Sequence, residues 1–561
     1  MGEPNPSDPS YQCSTTSTNS SSSSSTLTIS TTLVTRCRTL LAELTALQSL
    51  LAQTQRNPQI VEVRSLRSSV LSELRMLEKL DAQVQEATAA AAAAAVAAPE
   101  QDDAGGKHGD GDGDDEVRAR LTHALRSSNL PFYEAVWAIA KGSCSGLVAF
   151  GKRFYWGDEV DNSGKGTGIS HDGAREQKQK KRSSKDKKKS VFVDIVADDG
   201  EEWVKVSTIS ETRLLFEMAK KGWEADDSED EAPRTVLRNH EDGMGTDDED
   251  EEDDDDDEIE LVKLASDMRK AANVTRVRYR RPRLRFVIPK IEEGSSPEVD
   301  GLLKVIRGYG IDVTCGENVY SSQSETTQAE ALERLLPKPF KHFTSTLNMD
   351  CTLLLAAVSD LSHYKDISTS PIHHKAINRQ IEVEHSRPLL PTELWPAMVG
   401  RDLVCTEEAA QRMQEIVNII GTETEKQRMR ILMCHDSFAE CTPEGLREAY
   451  QKLSDYEIPA DWRLPVVTVN AKPTIASAKD LARLPPVYEK VEQVLSDINH
   501  SVFLYGWAAG VMTISSNRTV VKQIESIVER NRGVDDSLEG PSIWVCDTAR
   551  SLIGKEKGRK D

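Results

Sequence analysis

The sequence predicts an α/β protein: a helical and α/β N-terminal region, a C-terminal region of alternating strands and helices, and long charged inserts that join neither core. Three observations carry this. From residue 340 onward, apolar runs short enough for strands alternate with amphipathic runs of helix length. Leucine and valine recur through 31–88 at spacings of mostly three, four and seven. Charge is segregated into a basic cluster at 178–189 and an acidic run that begins at 224.

Taken in order, residues 1–30 carry the Ser20 to Ser25 run among Thr, Asn and Pro, a composition that cannot bury a core and predicts a disordered tail. Residues 31–88 place Leu33, Leu40, Leu44, Leu47 and Leu51 ahead of Val63, Leu66, Val70, Leu74, Leu77 and Val84. This is a helical hairpin broken near Asn57-Pro58. The stripe reads as core rather than as a dimer zipper, because neither segment sustains several uninterrupted heptads. Residues 89–116 run from polyalanine into GGKHGDGDGDD and read as a disordered linker.

Residues 117–320 read as an N-terminal α/β domain with disordered inserts at 157–190 and 224–258. Its elements are a helix over 116–140 broken at Leu130-Pro131, two β-rich runs in Ser190 to Ser210, and helices at 211–223 and 259–272. The β-rich runs are joined by Asp198-Asp199-Gly200, a hairpin signature. The stretch 224–260 holds 21 Asp or Glu against Arg234 and Arg238, so it alone contributes 2 − 21 = −19 to a formal net charge of −22. The rest of the chain is close to neutral, and the acidic balance says little about the folded surfaces.

Arg276 to Arg285 alternates arginine with other residues, which as a strand would present a row of guanidinium groups suited to phosphates. The acidic run upstream reads as an intramolecular competitor for that row, and phosphorylation at Ser228 or Thr246 would strengthen it. The cluster Lys178 to Lys189 reads as a nuclear import signal or a solvated linker. No basic and apolar leader follows Met1, and no run approaches the roughly 20 apolar residues of a spanning helix. The expectation is an intracellular protein of nucleus or cytoplasm, with no membrane partner. Nine cysteines without CxxC pairing predict reduced thiols. Cys434-His435 and Cys441 resemble zinc ligands but lack a second pair. GKGTG at Gly164 to Gly168 lacks the Lys-Ser/Thr of a phosphate loop.

In the C-terminal region, TSTLNMDCTLLLAAVSDLSH (Thr344 to His363) sets Asp350 where an apolar strand-like run meets an apolar helix-like run. Such an acid is either a helix cap or a cleft-facing ligand at the carboxyl end of a strand. A helix near 392–399, a strand at Asp402 to Cys405 and a helix from Glu407 to about Ile420 follow. Glu407 repeats the placement of Asp350, with Thr406 as its cap. GTETEKQRMRIL (Gly421 to Leu432) offers Lys426, Arg428 and Arg430 as a basic face. Ser501 to Ile524 and Ser542 to Leu552 contain strand-like runs that end in polar residues.

SSNLPFYEAVW (Ser127 to Trp137), FVDIVADDGEEWVKV, LNMDCTLLLAAVSDLSH, LVCTEEAAQRM, GTETEKQRMRIL, MTISSNRTVV and the later ARSL occur in that order. Together they resemble an uncharacterised eukaryotic family of unknown function whose C-terminal half is a PIN-like domain, the fold of metal-dependent ribonucleases. The resemblance implies that 340–555 is a PIN-like α/β/α sandwich around a parallel sheet. Asp350 matches the first acid, Glu407 the second, and Asn517 the polar residue after the last core strand. Trp507 in LYGW stands where the family tends to show an acid. It implies magnesium or manganese on Asp350 and Glu407, with Asp547 after IWVC as a compensating carboxylate and Glu425 or Asp360 less suited. Asn517, Thr352, Arg428 and Arg430 are the implied contacts to single-stranded RNA, and Trp507 a surface on which a base could stack. The implied function is RNA binding or metal-dependent RNA hydrolysis from a depleted acidic site. The alternative is a catalytically inactive scaffold that binds protein partners through the cleft and the charged inserts.

Overall fold

A computed structural model describes residues 19–54, 61–97, 112–157, 189–222, 258–316, 327–546 and 549–553. The segment of Gly164 to Gly168, nearly all of the Lys-rich cluster, the acidic run with Ser228 and Thr246, and Asp547 lie outside the described residues. The chain divides into two compact units. The first takes 1–54, 58–271 and 283–337, and the second 55–57, 272–282 and 338–561.

The first unit opens with helices α1 (Asn19–Thr54), α2 (Arg64–Ala97), α3 (Asp112–Arg126) and α4 (Leu130–Ser143). The leucine and valine stripe becomes core as expected: Leu40, Leu44, Leu47, Val70 and Leu77 bury against Trp137 and Ile139 of α4. Both predicted disordered margins are partly helical. Helix α1 starts well before residue 31, because Leu27 and Ile29 pack on the same core and the Ser30 hydroxyl donates to Asp81 at 2.6 Å. Helix α2 continues through the polyalanine, alanine being the strongest helix former. The helix expected over 116–140 is two, with Pro131 in the first turn of α4, where its missing N–H is no loss.

Strands β1 (Ala149–Trp156), β2 (Lys189–Ala197) and β3 (Glu202–Val206) pair antiparallel. Helices α5 (Glu211–Lys220) and α6 (Glu260–Val274) precede β4 (Arg283–Ile288), α7 (Pro297–Gly308), β5 (Ile311–Cys315) and α8 (Gln328–Leu335). The sheet order is β1-β2-β3-β4-β5, parallel from β3 onward. The β2–β3 turn falls on Asp198, Asp199 and Gly200, all at positive φ, as the hairpin signature predicts.

The expected arginine strand over 276–285 is corrected. Val277 and Arg280 bridge across Arg278 and Tyr279, whose φ of 50° and 68° make a tight reversal, and β4 begins only at Arg283. Within the second unit Arg276 and Arg281 pair with Asp536 and Arg280 with Glu539. Within the first, Arg283 pairs with Asp198 and Arg285 with Glu202. No single guanidinium row forms.

The second unit runs β6 (Thr346–Met349), α9 (Cys351–Val358), α10 (Asp360–His363), α11 (Lys375–Ser386), α12 (Trp395–Met398) and β7 (Asp402–Thr406). Helices α13 (Glu407–Ile420), α14 (Glu423–Leu432) and α15 (Pro443–Gln451) lead to β8 (Val467–Val469). Helices α16 (Ala471–Asp480), α17 (Tyr488–Glu492) and α18 (Asp497–Ala509) lead to β9 (Met512–Ser515), then α19 (Arg518–Arg530) and β10 (Ile543–Val545). All five strands are parallel, in the order β10-β9-β6-β7-β8.

Side chains alternate across a strand, so this sheet feeds two cores. Leu347, Met349, Leu403, Cys405, Met512 and Ile514 join α9, α13 and α15 in one cluster. Ile543 and Val545 pack on the other side with Ile475, Phe503, Leu504, Ile524 and Val528 from α16, α18 and α19. Helices therefore cover both faces of a parallel sheet. From β6 to β8 the chain winds one way, and at β9 it crosses back to the far side of β6. Asn517 consequently follows the fourth of the five strands, not the last.

Candidate functional site

The reversal between β6 and β9 is a topological switch point, and in open α/β sheets ligands collect there, outside the carboxyl ends of the strands. Asp350 follows the last residue of β6 at that point and Ser515 ends β9. The Ser515 hydroxyl donates to Asp350 Oδ2 at 2.6 Å, and the Thr352 hydroxyl donates to the same oxygen at 2.7 Å. Asp350 occupies the cap position of α9 without a geometrically ideal side-chain capping bond, although the amides of Cys351 and Thr352 at the start of the helix also favour its charged form. It is 3 % exposed, and burial pushes its carboxyl above the usual carboxylate range while the two hydroxyls pull it down.

The cluster extends along the strand ends. The Ser516 amide donates to Thr352 Oγ1 at 3.2 Å and the Asn517 amide to Ser515 Oγ at 2.9 Å. Asn517 caps α19, its side chain accepting from the Val520 amide. Asn348, fully buried one residue before Met349, donates to the Val502 carbonyl and to Thr513 Oγ1. Gly506 of α18 lets the helix approach this seam, since a Cβ there would lie 2.0 Å from Thr513 Oγ1.

The structure thus brings Asp350, Thr352 and the Asn517 backbone together through Ser515, a residue that sequence reasoning did not single out. Its signal was the MTISS run itself, a strand ending in hydroxyls. Glu407 is exposed at the end of β7, where Thr406 caps α13 by accepting from the Ala409 amide at 3.3 Å. Arg428 is not on a basic face of α14. It is fully buried, bonded to Asp360 at 2.6 Å and to the carbonyls of Val358 and Leu453, and a side chain with no accessible surface cannot meet a phosphate. Arg430 pairs with Asp436 in the next turn. Glu425 and Asp360 are buried in the same network as Arg428, and the Glu425 carboxylate accepts from the amides of Asp360, Thr422 and Ile553. Trp507 lies toward the end of α18, beside Val511 and Ser542 at the amino edge of the sheet. The acid position implied for it is therefore corrected, because α18 runs antiparallel to β9 and carries its last turn away from Asp350.

A cavity of about 510 Å³ opens at the carboxyl edge, lined by Glu408, Ala471, Lys472, Ile475, Lys479 and His500 among others. Ser501 in its wall meets Thr406 at 3.1 Å, which ties the cavity to the strand ends. Glu408 has one carboxylate oxygen buried without a hydrogen-bond partner, while Lys479 and His500 share Glu492. Sequence reasoning missed these residues because three helices supply them, with Glu408 of α13 more than 60 residues ahead of those on α16 and α18.

The donor set was tested against a divalent metal. Among the described residues no group of three His, Cys, Asp or Glu could hold one, whether around Asp350 or at Cys434, His435 and Cys441. Asp350 offers almost no accessible surface. The described residues do not fit a carboxylate-held magnesium or manganese ion, which requires several oxygen ligands around it.

A family model described as a protein of unknown function (DUF1308) matches residues 347–449. That stretch, similar to a family whose function is unassigned, runs from β6 into α15; it contains Asp350, Thr352 and Glu407 and stops before Ser515. No curated protein and no solved structure matches the chain. Among the described residues no helix is long and apolar enough to cross a membrane.

Proposed function

We propose that the second unit is a PIN-like domain whose carboxyl edge binds single-stranded RNA without cleaving it. The observation that carries this reading is the buried Asp350 and Ser515 pair at the switch point of a doubly wound parallel sheet. Natural folds of this kind place their ligands there. The adjoining cavity supports it: Ala471 and Ile475 offer an apolar wall for a base, and Lys472, in the exposed first turn of α16, a cation for phosphate. Arg518 stands in the first turn of α19 at the same edge. The hydrolytic version requires Asp350, Glu407 and Asp547 around one ion; Asp547 lies outside the described residues, and the near-complete burial of Asp350 supports binding over cleavage.

The test is fluorescence anisotropy with a labelled 15-nucleotide oligouridine, followed by gel analysis of the same RNA after incubation with manganese. The doubly substituted Lys472→Glu, Arg518→Glu protein is expected to bind about tenfold more weakly, and the RNA to stay intact. Equal affinity of parent and variant would overturn the binding reading and leave the scaffold alternative. Cleavage that Asp350→Asn abolishes would overturn the inactive one.

A further inference from the structure

Sequence places Lys152-Arg153-Phe154-Tyr155-Trp156 at the end of β1, and the antiparallel register sets it against Lys189 to Val193 of β2. Cross-strand partners share a face, so Arg153 and Phe192 stand side by side, with Tyr155 opposite Ser190 on the same face. Rings exposed to this extent on a strand pair carry a large apolar surface into water. Tyr155 is 56 % exposed and Phe192 38 %. The Phe192 ring lies across Gly151, where a Cβ would come within 2.8 Å of it, and the Arg153 guanidinium and Lys205 ammonium flank it at 5.7 and 5.6 Å from its centroid.

Among the described residues of the two strands, the exposed charge is positive. Strand β1 carries no acid, and the single acid of β2, Asp194, is buried against Lys205 and the Val206 amide. Lys152, Arg153 and Lys189 are exposed, and among the described residues none of the three has an acidic partner. Lys205 is paired with Asp194, so Arg153 is the cation best placed beside the rings.

We propose that this face of the β1–β2 ribbon binds single-stranded nucleic acid, with bases stacked on Tyr155 and Phe192 and a backbone phosphate on Arg153. The two rings are diagonal cross-strand neighbours, about 7–8 Å apart at their backbones, close enough for consecutive bases of an extended strand. A polyanion without rings would need only the cations, whereas an aromatic pair framed by cations matches the combination of π-face and phosphate that single strands present. The site lies wholly within the first unit and shares no residue with the carboxyl-edge cleft of the second.

The full-length chain is titrated into labelled oligouridine, with polyglutamate as competitor. Tyr155→Leu, which keeps bulk but removes the ring, is expected to weaken binding about tenfold, and Tyr155→Phe to keep it. Arg153→Gln is expected to lower the slope of log affinity against log salt by about 0.7. Tyr155 is exposed, so the fold should survive; unchanged far-ultraviolet circular dichroism checks this. Parental affinity in both Tyr155→Leu and Phe192→Leu would sink the proposal, as would polyglutamate displacing the RNA at equal charge concentration. Loss in the ribbon variants with parental binding in Lys472→Glu, Arg518→Glu supports this site while removing the carboxyl-edge one; the reverse pattern does the opposite.

Discussion

Asp350 takes both of its hydroxyl donors on one oxygen, Oδ2. An asparagine amide oxygen can accept the same two bonds without a buried charge. Asp350→Asn is therefore expected to hold Tm or raise it by about 2–4 °C, the shift that about 1 kcal/mol produces in a unit of this size. Asparagine caps a helix as well as aspartate does, so this variant leaves any cap intact. Differential scanning calorimetry reads the result, and a fall in Tm would show that the carboxylate charge itself stabilises the fold. At this scale the sequence was half legible. The position of Asp350 could be read from the polarity break after Met349, but its partner Ser515 lies 165 residues away, and no local pattern connects them.

Helix α13 shows how well local signals define an element: Thr406 caps it, Gly421 ends it, and its limits are those expected. Helix α14 shows where they fail. Its capping box of Thr422 and Glu425 is local, yet the orientation of Arg428 is set by Asp360, 68 residues earlier. Arg428→Met should leave Asp360 charged and unpaired and cost about 3–5 kcal/mol in urea unfolding. Adding Asp360→Asn should restore a good part of that, because the amide oxygen can still accept from one of Thr422 and Thr424 while the amide N–H donates to the other hydroxyl. A double variant no more stable than Arg428→Met would show that the packing of Arg428, not its charge, holds α14. The arginine alternation of 276–285 misled for a related reason. A tight turn at Arg278 and Tyr279 breaks the period, and acids at Asp536 and Glu539 take up the side chains.

Across the whole molecule the buried titratable groups pull in opposite directions as pH falls. Asp194, Asp350 and Glu425 have carboxyls pushed up mainly by burial, so the folded chain gains protons before the unfolded one and is not weakened by mild acid through them. His363 does the reverse. It is fully buried, its Nε2 donates to the Ala357 carbonyl and its Nδ1 accepts from Ser454, and desolvation, reinforced by Arg428, holds it well below 6.5. Below about pH 6.5 the unfolded chain binds a proton that the folded chain refuses, and stability falls with pH. The Tm of the parent should therefore drop more between pH 6.5 and 5 than that of His363→Gln, whose amide can keep both bonds. Parallel profiles would exclude His363 as the acid-sensitive group.

By itself the sequence determined the α/β class, the helical hairpin, the β2–β3 turn and the alternation from β6 through α13. These follow from periodicity, caps and turn residues, which act over one to four positions. Only the tertiary structure decided the strand order β10-β9-β6-β7-β8, and with it which residues meet. That order brings Ser515 to Asp350, sends Trp507 to the opposite edge, buries Arg428 and gathers the wall of the cavity from three distant helices. The physical reason is that a crossover's direction depends on which faces can be buried together, a property of the assembled sheet that no window of the chain contains. The acid that marks the switch point was visible in the sequence; what surrounds it was not.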